Sequence, residues 1–405
     1  YMPLSDWRDG TTHADAGWES LYNLDYLKAN IAGGEGYDWY YHTAEAEALQ
    51  LRTPITDGAH DEPWVFRYKD IRNWWEQRHF NRIGGVRDVT PTPWVPGMKP
   101  VFFTEMGCAA VDKGTNQPNK FLDPKSSESS LPKYSNGGRD DVIQFQYLAA
   151  MRDYWDDPAN NPVSEAYGGP MVETGRMFGW AWDARPYPYF PGNTEAWSDG
   201  DNYGLGHWLT GRVTSRSLAR VVQDICAQHG VPGADTDRLY GVVRGYSPQP
   251  GSGARSQLQS LMLAHSADAT ERDGVLRFQS RTGLPVAELG QDDLAVGESG
   301  TPLAAVRAPQ AEVSGTVRLS FVEADADYEI RAVDSVFPDE TSDSHAESEL
   351  PMTLTAGEAR ETVDRGLAEA RVARDGVSFA LPPSRDLEAG DVVRLQARGI
   401  EGLYR

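Results

Sequence analysis

KPVFFTEMG, residues 99–107, is the stretch that decides the predicted fold of the first half of the chain. An apolar run that begins at Val101 is followed by Glu105, and Gly107 opens the next segment. This order predicts a buried strand over residues 100–105 that ends on a carboxylate. In a (β/α)8 barrel, catalytic side chains lie at the carboxyl ends of the strands. In other folds such an acid is an ordinary strand-end residue.

Two other segments of the first half repeat this pattern. RMFGWAW, residues 176–182, predicts a second strand that ends on Trp180 and Trp182, and the opening MPLSDWRDG, residues 2–10, leads from apolar residues to an acid and Trp7. A sugar ring presents apolar C–H faces and a rim of hydroxyls, so aromatic rings beside carboxylates suit both. The three Trp residues are therefore predicted substrate-binding residues, and plain core packing is the alternative for each.

Helical periodicity is visible at several places in the first half. The predicted helices cover residues 18–30, 40–51, 68–80 and 139–155. Residues 107–138 form a long polar segment, dense in Gly, Asn, Pro and Ser. An ordered loop of that length is usually functional or an interaction surface.

The composition changes close to residue 210. All 12 Trp residues lie between Trp7 and Trp208, every Lys lies before residue 210, and beyond it Arg replaces Lys. A chain of 405 residues is expected to form about two domains. We therefore predict one domain over residues 1–210 and a second over residues 211–405.

The second half has the pattern of an α+β domain built on small antiparallel sheets and helices. The predicted helices run from about residue 218 to 229, from 254 to 267 and from 358 to 374. The predicted strands cover residues 238–246, 275–278, 375–379 and 391–395, with a further pair within 312–337. The acid-rich residues 339–349 predict a solvated loop.

Charge and cysteine content narrow the function classes. The formal net charge is −22 and no basic stripe is present, so nucleic-acid binding through phosphate contacts is not expected. No apolar run approaches about 18 residues, so no membrane span is predicted. Cys108, Cys226 and the scattered His residues match no metal or redox spacing. WSDGDNYG, residues 197–204, lacks the full acid set of a calcium loop. We predict no metal site and no cofactor.

A retaining glycosidase needs two carboxyl groups about 5 Å apart, one as nucleophile and one as acid/base. Glu105 fits the nucleophile, but the chain shows no clear partner. About three barrel-like strands are visible where a whole barrel has eight. The first half therefore reads as the C-terminal part of a (β/α)8 barrel, and the acid/base is expected upstream of Tyr1, in a longer protein. The predicted enzyme activity is conditional on that upstream residue.

Longer stretches of the first half carry a resemblance to a known family. TEMG and the Trp-rich second strand look like the last two strands of clan-A glycoside hydrolases. The wider resemblance is to the TIM-barrel-like domain of gene transfer agent baseplate proteins, and it covers residues 1–212. It rests on KDIRNWWEQRHFNRIGG, KPVFFTEMGCAAVDKGTNQPNKFLDPKSSES, WAWDARPYPYFP, WSDGDNY and GHWLTGR. For Glu105 the resemblance implies the position of the glycosidase nucleophile.

The second half resembles a phage tail hub domain. The similarity lies in VRGY, ARSQLQSLMLAH, DGVLRFQSR and LPPSRDLEAGDVVRL. It implies a baseplate hub at the tail tip of a virus-like particle made in the bacterial cytoplasm. The implied partners are other tail and baseplate proteins, two further copies in a homotrimer, and a cell-surface polysaccharide.

Two classes of function stay open at this point. The first is a structural baseplate hub component whose barrel binds or cleaves envelope saccharide. The alternative is an active retaining glycoside hydrolase with an accessory module. A second carboxylate close to Glu105 would favour the enzyme, and its absence would favour the structural role.

Overall fold

The computed structural model describes residues 2–10, 12–123, 126–127, 129–212, 214–231, 233–295, 303–309, 314–325, 328–337, 345–383 and 387–405. The chain forms two compact units, Tyr1–Val213 and Thr214–Arg405. No helix within the described ranges is long and apolar enough to cross a membrane.

Unit 1 is mixed α/β and rich in loops. Its helices are α1 (Leu24–Ala29), α2 (Ala44–Ala48), α3 (Ile71–Glu76), α4 (Asp141–Asp156) and α5 (Tyr189–Gly192). Its strands are β1 (Trp39–Tyr40), β2 (Thr53–Pro54), β3 (Phe80–Ile83), β4 (Val86–Pro91), β5 (Val101–Met106) and β6 (Val172–Gly179). Strands β1 and β2, and likewise β3 and β4, pair antiparallel, whereas β5 and β6 pair in parallel.

Helix α4 forms where the sequence predicts it. Asp140 caps the helix, because its carboxylate accepts a hydrogen bond from the backbone N–H of Ile143. Ile143, Tyr147 and Met151 recur at helical spacing and are fully buried in the core of unit 1. The prediction of a helix over residues 139–155 is confirmed.

The three earlier helices exist but are shorter than predicted. Each predicted span contains a capping side chain that fixes a later start. Asn23, Thr43 and Asp70 accept hydrogen bonds from backbone N–H groups of the following turn and begin α1, α2 and α3. The residues of each predicted span that precede the cap are therefore not α-helical, although Trp18 ends a short 3-10 helix, Ala16–Trp18.

The described residues contain only part of the predicted barrel architecture. The strand predicted at residues 100–105 is confirmed as β5, and the second predicted strand is β6, which starts and ends a few residues earlier than expected. The strand expected in the opening segment is not formed. Residues 2–8 are buried in part but lie in no strand. Their partners are loop groups instead, since the Leu4 N–H donates to the carbonyl of Thr115 at 2.9 Å. No closed barrel is present in the part of unit 1 that the structure describes.

The β5–β6 pair has one covered face and one open face. Phe103 and Met177 pack with α4 in the core of unit 1. On the other side, Phe102 and Phe178 are 40% and 55% exposed, and the guanidinium of Arg176 lies 4.8 Å from the Phe102 ring centroid. Within the described residues each of these two strands pairs only with the other, so neither outer edge has a partner strand.

Unit 2 is an α+β unit. Its helices are α6 (Leu218–Gln228), α7 (Ala254–His265) and α8 (Ala356–Val372). Its first strands are β7 (Arg216–Ser217), β8 (Asp235–Arg238), β9 (Val242–Val243), β10 (Gly245–Tyr246), β11 (Ala267–Arg272), β12 (Val275–Ser280) and β13 (Ala287–Gly290). Its later strands are β14 (Leu303–Arg307), β15 (Thr316–Glu323), β16 (Ile330–Val336), β17 (His345–Leu354), β18 (Asp375–Phe379), β19 (Val393–Ala397) and β20 (Ile400–Tyr404).

The sheets of unit 2 are small, as predicted, but they are mixed. The described sheets have the orders β10-β17-β15-β16, β11-β12-β8, β13-β19-β20, β14-β18 and β7-β9. Strand β15 pairs antiparallel with β16 and parallel with β17, and β8–β12 and β13–β19 are also parallel. The expectation of purely antiparallel sheets is therefore wrong. Strand β17 lies on the edge of β15 opposite to β16, and it runs parallel to β15, whereas β16 runs antiparallel to it.

The core of unit 2 joins its helices to the four-stranded sheet. Leu218 and Val222 of α6 pack with Leu261 of α7 and with Phe321 of β15. Helix α8 begins with a capping box, in which Thr355 and Glu358 satisfy each other's backbone N–H groups. The acid-rich residues 339–349 were predicted as a loop. Residues 339–344 lie outside the described residues, and residues 345–349 form the start of strand β17 instead.

Candidate functional site

The carboxyl ends of β5 and β6 lie side by side. The Trp180 N–H donates to the carbonyl oxygen of Met106 at 2.8 Å, and the Ala181 N–H donates to that of His207 at 2.9 Å. A Cβ added at Gly107 would lie 2.6 Å from the carbonyl oxygen of Trp180, so only glycine permits this approach. The geometry brings the end of the TEMG strand against the start of the Trp-rich loop.

Glu105 is an exposed carboxylate at this end of β5. Among the described residues it has no hydrogen bond and no ion pair, unlike most acids of unit 1. Glu105 is free to meet a ligand from solution.

The three Trp residues predicted to bind substrate differ in exposure. Trp180 and Trp182 are 44% and 61% exposed, so their rings are open to a ligand. Trp7 is half-buried: its ring centroid lies 4.4 Å from that of His13 and 5.7 Å from that of Tyr26. Trp7 therefore packs mainly inside the loop region, and Trp180 and Trp182 offer the open aromatic surface beside β5.

An arginine clamp shapes the loop after β6. The guanidinium of Arg185 donates to both carboxylate oxygens of Asp183 and to both of Asp199, at 2.7 to 3.0 Å. Its carbon lies 3.6 Å from the Phe190 ring centroid. Hydrogen bonding from Arg185 lowers the pKa of Asp183 in spite of burial. Asp183 is thus an ionised structural group that fixes the loop which carries Trp182.

A buried charge network lies at the end of the opening segment. The Asp6 carboxylate is 1% exposed and is 2.7 Å from Nζ of Lys133 and 2.8 Å from a guanidinium nitrogen of Arg52. The Tyr41 hydroxyl also donates to it, at 2.5 Å. The Asp6 carboxylate is therefore enclosed by two cationic side chains and a hydroxyl and is not open to a ligand from solution.

The same network extends to two more acids. Lys133 also lies 2.5 Å from Glu35, and Arg52 lies 2.9 Å from Asp15. Burial alone would lower the pKa of Lys133, but Glu35 and Asp6 outweigh it and raise the pKa. The network ties the opening segment to the long loop after β5.

Sequence reasoning found Asp6 as an acid after an apolar run but missed its partners. Lys133 and Arg52 lie 127 and 46 residues away along the chain, and no local pattern links them to Asp6. Within the described ranges, no group of three or more His, Cys, Asp or Glu side chains could hold a metal ion. Cys108 and Cys226 are both free and buried.

Two family models match the chain. Residues 1–191 match the gene transfer agent TIM-barrel-like domain, and residues 253–405 match a phage tail protein family. These matches confirm the resemblance in both halves of the sequence. No curated protein sequence matches the chain.

Solved structures extend the comparison. A chain from the virion of a native gene transfer agent particle is 49% identical, with a TM-score of 0.50, over 52% of this chain and 48% of that chain. This chain thus spans about half the length of that relative. A tail protein of Neisseria meningitidis MC58 is 11% identical over 46% of this chain and 58% of its own, with a TM-score of 0.33. The 43 kDa tail protein of prophage MuSo2 from Shewanella oneidensis is 10% identical over 47% and 60%, with a TM-score of 0.33.

Proposed function

Because this chain joins a gene transfer agent TIM-barrel-like domain to a phage tail domain, we propose that it is a structural component of the tail of a gene transfer agent particle. The observation that carries the proposal is the 49% identity to a chain of a native particle. We place the protein at the baseplate, where unit 2 acts as a hub with other tail proteins and with two further copies of itself. It is made in the bacterial cytoplasm and reaches the tail tip by assembly.

The outer edges of β5 and β6, which have no partner strand among the described residues, support a second part of the proposal. A two-stranded sheet with an open aromatic face is not stable alone, and further strands or a packed layer must cover it. We propose that unit 1 is the C-terminal part of a (β/α)8 barrel and that strands outside this sequence complete it. Phe102 and Phe178 would then face the barrel interior.

The strand ends support a saccharide-directed role for this barrel. Glu105 is exposed and unpaired among the described residues, and it lies next to the loop that carries the open rings of Trp180 and Trp182. The rings would stack on the apolar faces of a cell-surface polysaccharide. A purely binding role needs nothing further from this chain.

Cleavage would need a second carboxyl group about 5 Å from Glu105. A Glu105 oxygen would bond to the anomeric carbon while the glycosidic C–O bond breaks and the second carboxyl protonates the leaving oxygen. Water would then release the sugar from Glu105. In this alternative the protein is an active retaining glycoside hydrolase, and unit 2 is an accessory module.

The structural proposal is tested in the bacterium that encodes the protein. Deletion of the gene should abolish complete tails and DNA transfer, and the wild-type gene supplied in trans should restore both. A tag on the protein should be located at the tail tip by electron microscopy. Normal tails and normal transfer in the deletion strain would exclude the structural role.

A further inference from the structure

Unit 2 carries a cleft that none of the roles above uses. It has a volume of about 250 Å³ and lies between the residues that follow β10, the first turns of α7, and strand β17. This is slightly below the size range of typical small-molecule sites, about 300 to 1,000 Å³. The cleft therefore suits a ligand of one ring or a few heavy atoms.

One aromatic ring and two prolines form the apolar part of the cleft. Tyr246, Pro248 and Pro351 line it. The Tyr246 hydroxyl donates to the carbonyl oxygen of Gln257 at 2.9 Å, and the Ser247 N–H donates to the carbonyl of Pro351 at 2.9 Å. These two bonds fix the Tyr246 ring and the proline wall in place, so the apolar surface exists before any ligand arrives.

The polar part of the cleft has hydrogen-bonding groups without partners. Ser256, Gln249 and Glu349 line the cleft and are exposed, and among the described residues their side chains make no hydrogen bond or ion pair within the protein, so they are open to solvent or to a ligand. Together they supply a hydroxyl, an amide donor and acceptor, and a carboxylate with two acceptor oxygens.

The chemistry of the lining selects the ligand class. No Lys or Arg lines the cleft, so phosphate and carboxylate ligands would meet Glu349 without a balancing charge. A single carboxylate among neutral amides and hydroxyls, beside a fixed Tyr ring, matches a neutral polyhydroxylated ring. We propose that this cleft binds one monosaccharide unit, with Glu349 and Gln249 on its hydroxyls and Tyr246 against its apolar face. The site is independent of Glu105 and of the β5–β6 strand ends.

The test is saturation-transfer NMR on the full chain with four separate probes: D-glucose, D-galactose, N-acetyl-D-glucosamine and L-rhamnose. At least one sugar should receive saturation from the protein. Glu349→Gln and Ser256→Ala should each weaken that sugar's binding about 5- to 10-fold, the loss of one hydrogen bond to a charged or neutral group. Glu347→Gln is the matched control, because Glu347 is an exposed acid on the same strand that does not line the cleft.

One further variant separates this site from the proposed barrel site. Trp180→Ala removes stacking at the proposed barrel site, and in this variant the part of the sugar signal that depends on Glu349 should remain. The proposal is overturned if no sugar gives a signal, or if Trp180→Ala removes the signal while Glu349→Gln does not. It is also overturned if a tetra-arginine peptide, and no sugar, binds in a manner that requires Glu349, because the cleft would then receive a basic peptide. Since Glu349 and Ser256 are at the surface, circular dichroism should show that their variants stay folded.

Discussion

Nζ of Lys133 lies 2.7 Å from Oδ1 of Asp6, and the two side chains are 3% and 1% exposed. The pair joins residues far apart in sequence, one in the opening segment and one in the long loop after β5. Around it, Arg52 and Tyr41 complete the shell of the Asp6 carboxylate. The loop that sequence composition marks as functional is therefore anchored by a buried ion pair.

Removal of one member of this pair should destabilise unit 1 strongly. Lys133→Met leaves Asp6 buried with one partner fewer, and we expect a loss of about 3 to 5 kcal/mol in the free energy of unfolding. The matched control is Arg152→Met, which breaks an exposed pair with Asp156 and should cost about 1 kcal/mol or less. Urea denaturation of both variants measures the difference. Equal losses would show that the buried network contributes no more than a surface pair.

Asp140 should make stability fall as the pH rises. Burial raises its pKa to about 7 from 3.8, although Ile143 and Tyr22 donate hydrogen bonds to the carboxylate. Because the folded pKa is the higher one, the folded protein holds the proton more tightly. The stabilising contribution is complete below pH 3.8 and is lost as the pH rises from 3.8 to about 7. Asp140→Asn keeps a helix cap and should remove this slope.

The measurement for Asp140 is the free energy of unfolding of wild type and variant at several values between pH 4 and pH 8. The wild-type value minus the variant value should decrease over that range by a few kcal/mol at most, since one pKa unit corresponds to about 1.4 kcal/mol. Asp156→Asn, on the exposed face of the same helix, is the control. A difference that stays constant with pH would mean that Asp140 titrates normally in the folded protein.

Lys69 should make the stability of the folded protein rise with pH, over a range above that of Asp140. Burial lowers its pKa to about 7 from 10.5, against the pull of Glu35 and Asp38. Its Nζ donates to the carbonyl oxygens of Pro3 and Asn30, at 2.7 and 2.5 Å. Between these two pKa values the unfolded chain binds the proton and the folded chain does not, so stability rises with pH.

Lys69→Met should remove that rise. The wild-type free energy of unfolding minus that of the variant should increase from pH 7 to pH 10 by up to about 1.4 kcal/mol for each pH unit. Lys28→Met, which breaks an exposed pair with Asp25, should leave the wild-type pH dependence intact. If the slope persists in Lys69→Met, another buried group must cause it.

Sequence patterns predicted the elements whose signals are local. The apolar run before Glu105 predicted β5, and the helical spacing before Tyr154 predicted α4. The opening segment was wrongly assigned to a strand because its apolar residues are buried by loops rather than by a neighbouring strand. The parallel pairing of β15 with β17 was missed, since pairing depends on where the chain returns after β16.

The same distinction between local contacts and contacts made only on folding applies to the candidate site. The Asp183–Arg185 pair joins two residues of one short loop, a contact between neighbours in sequence. Lys133 was not predicted as a partner of Asp6, since only the folded loops bring them together. The roles of Glu105, Trp7, Trp180 and Trp182 in saccharide binding stay predictions.

Glu105→Gln is the variant that separates the two classes of function. In assembled particles, where other chain segments can supply the second carboxyl group, a hydrolase should lose saccharide cleavage by about a thousandfold or more with tails intact. Glu173→Gln, near the opposite end of the β5–β6 pair, is the control and should keep full activity. The measurement is the release of reducing sugar from purified envelope polysaccharide, beside a count of complete tails.

The result of that experiment has a direct structural meaning. Lost cleavage with normal tails would make Glu105 the nucleophile and would require a second carboxyl group about 5 Å away from it. Unchanged particles that bind polysaccharide but never cleave it would leave Glu105 as an exposed residue of a binding surface. In that case Trp182→Ala should weaken polysaccharide binding several-fold, because the most exposed ring at the strand ends would no longer stack on the sugar.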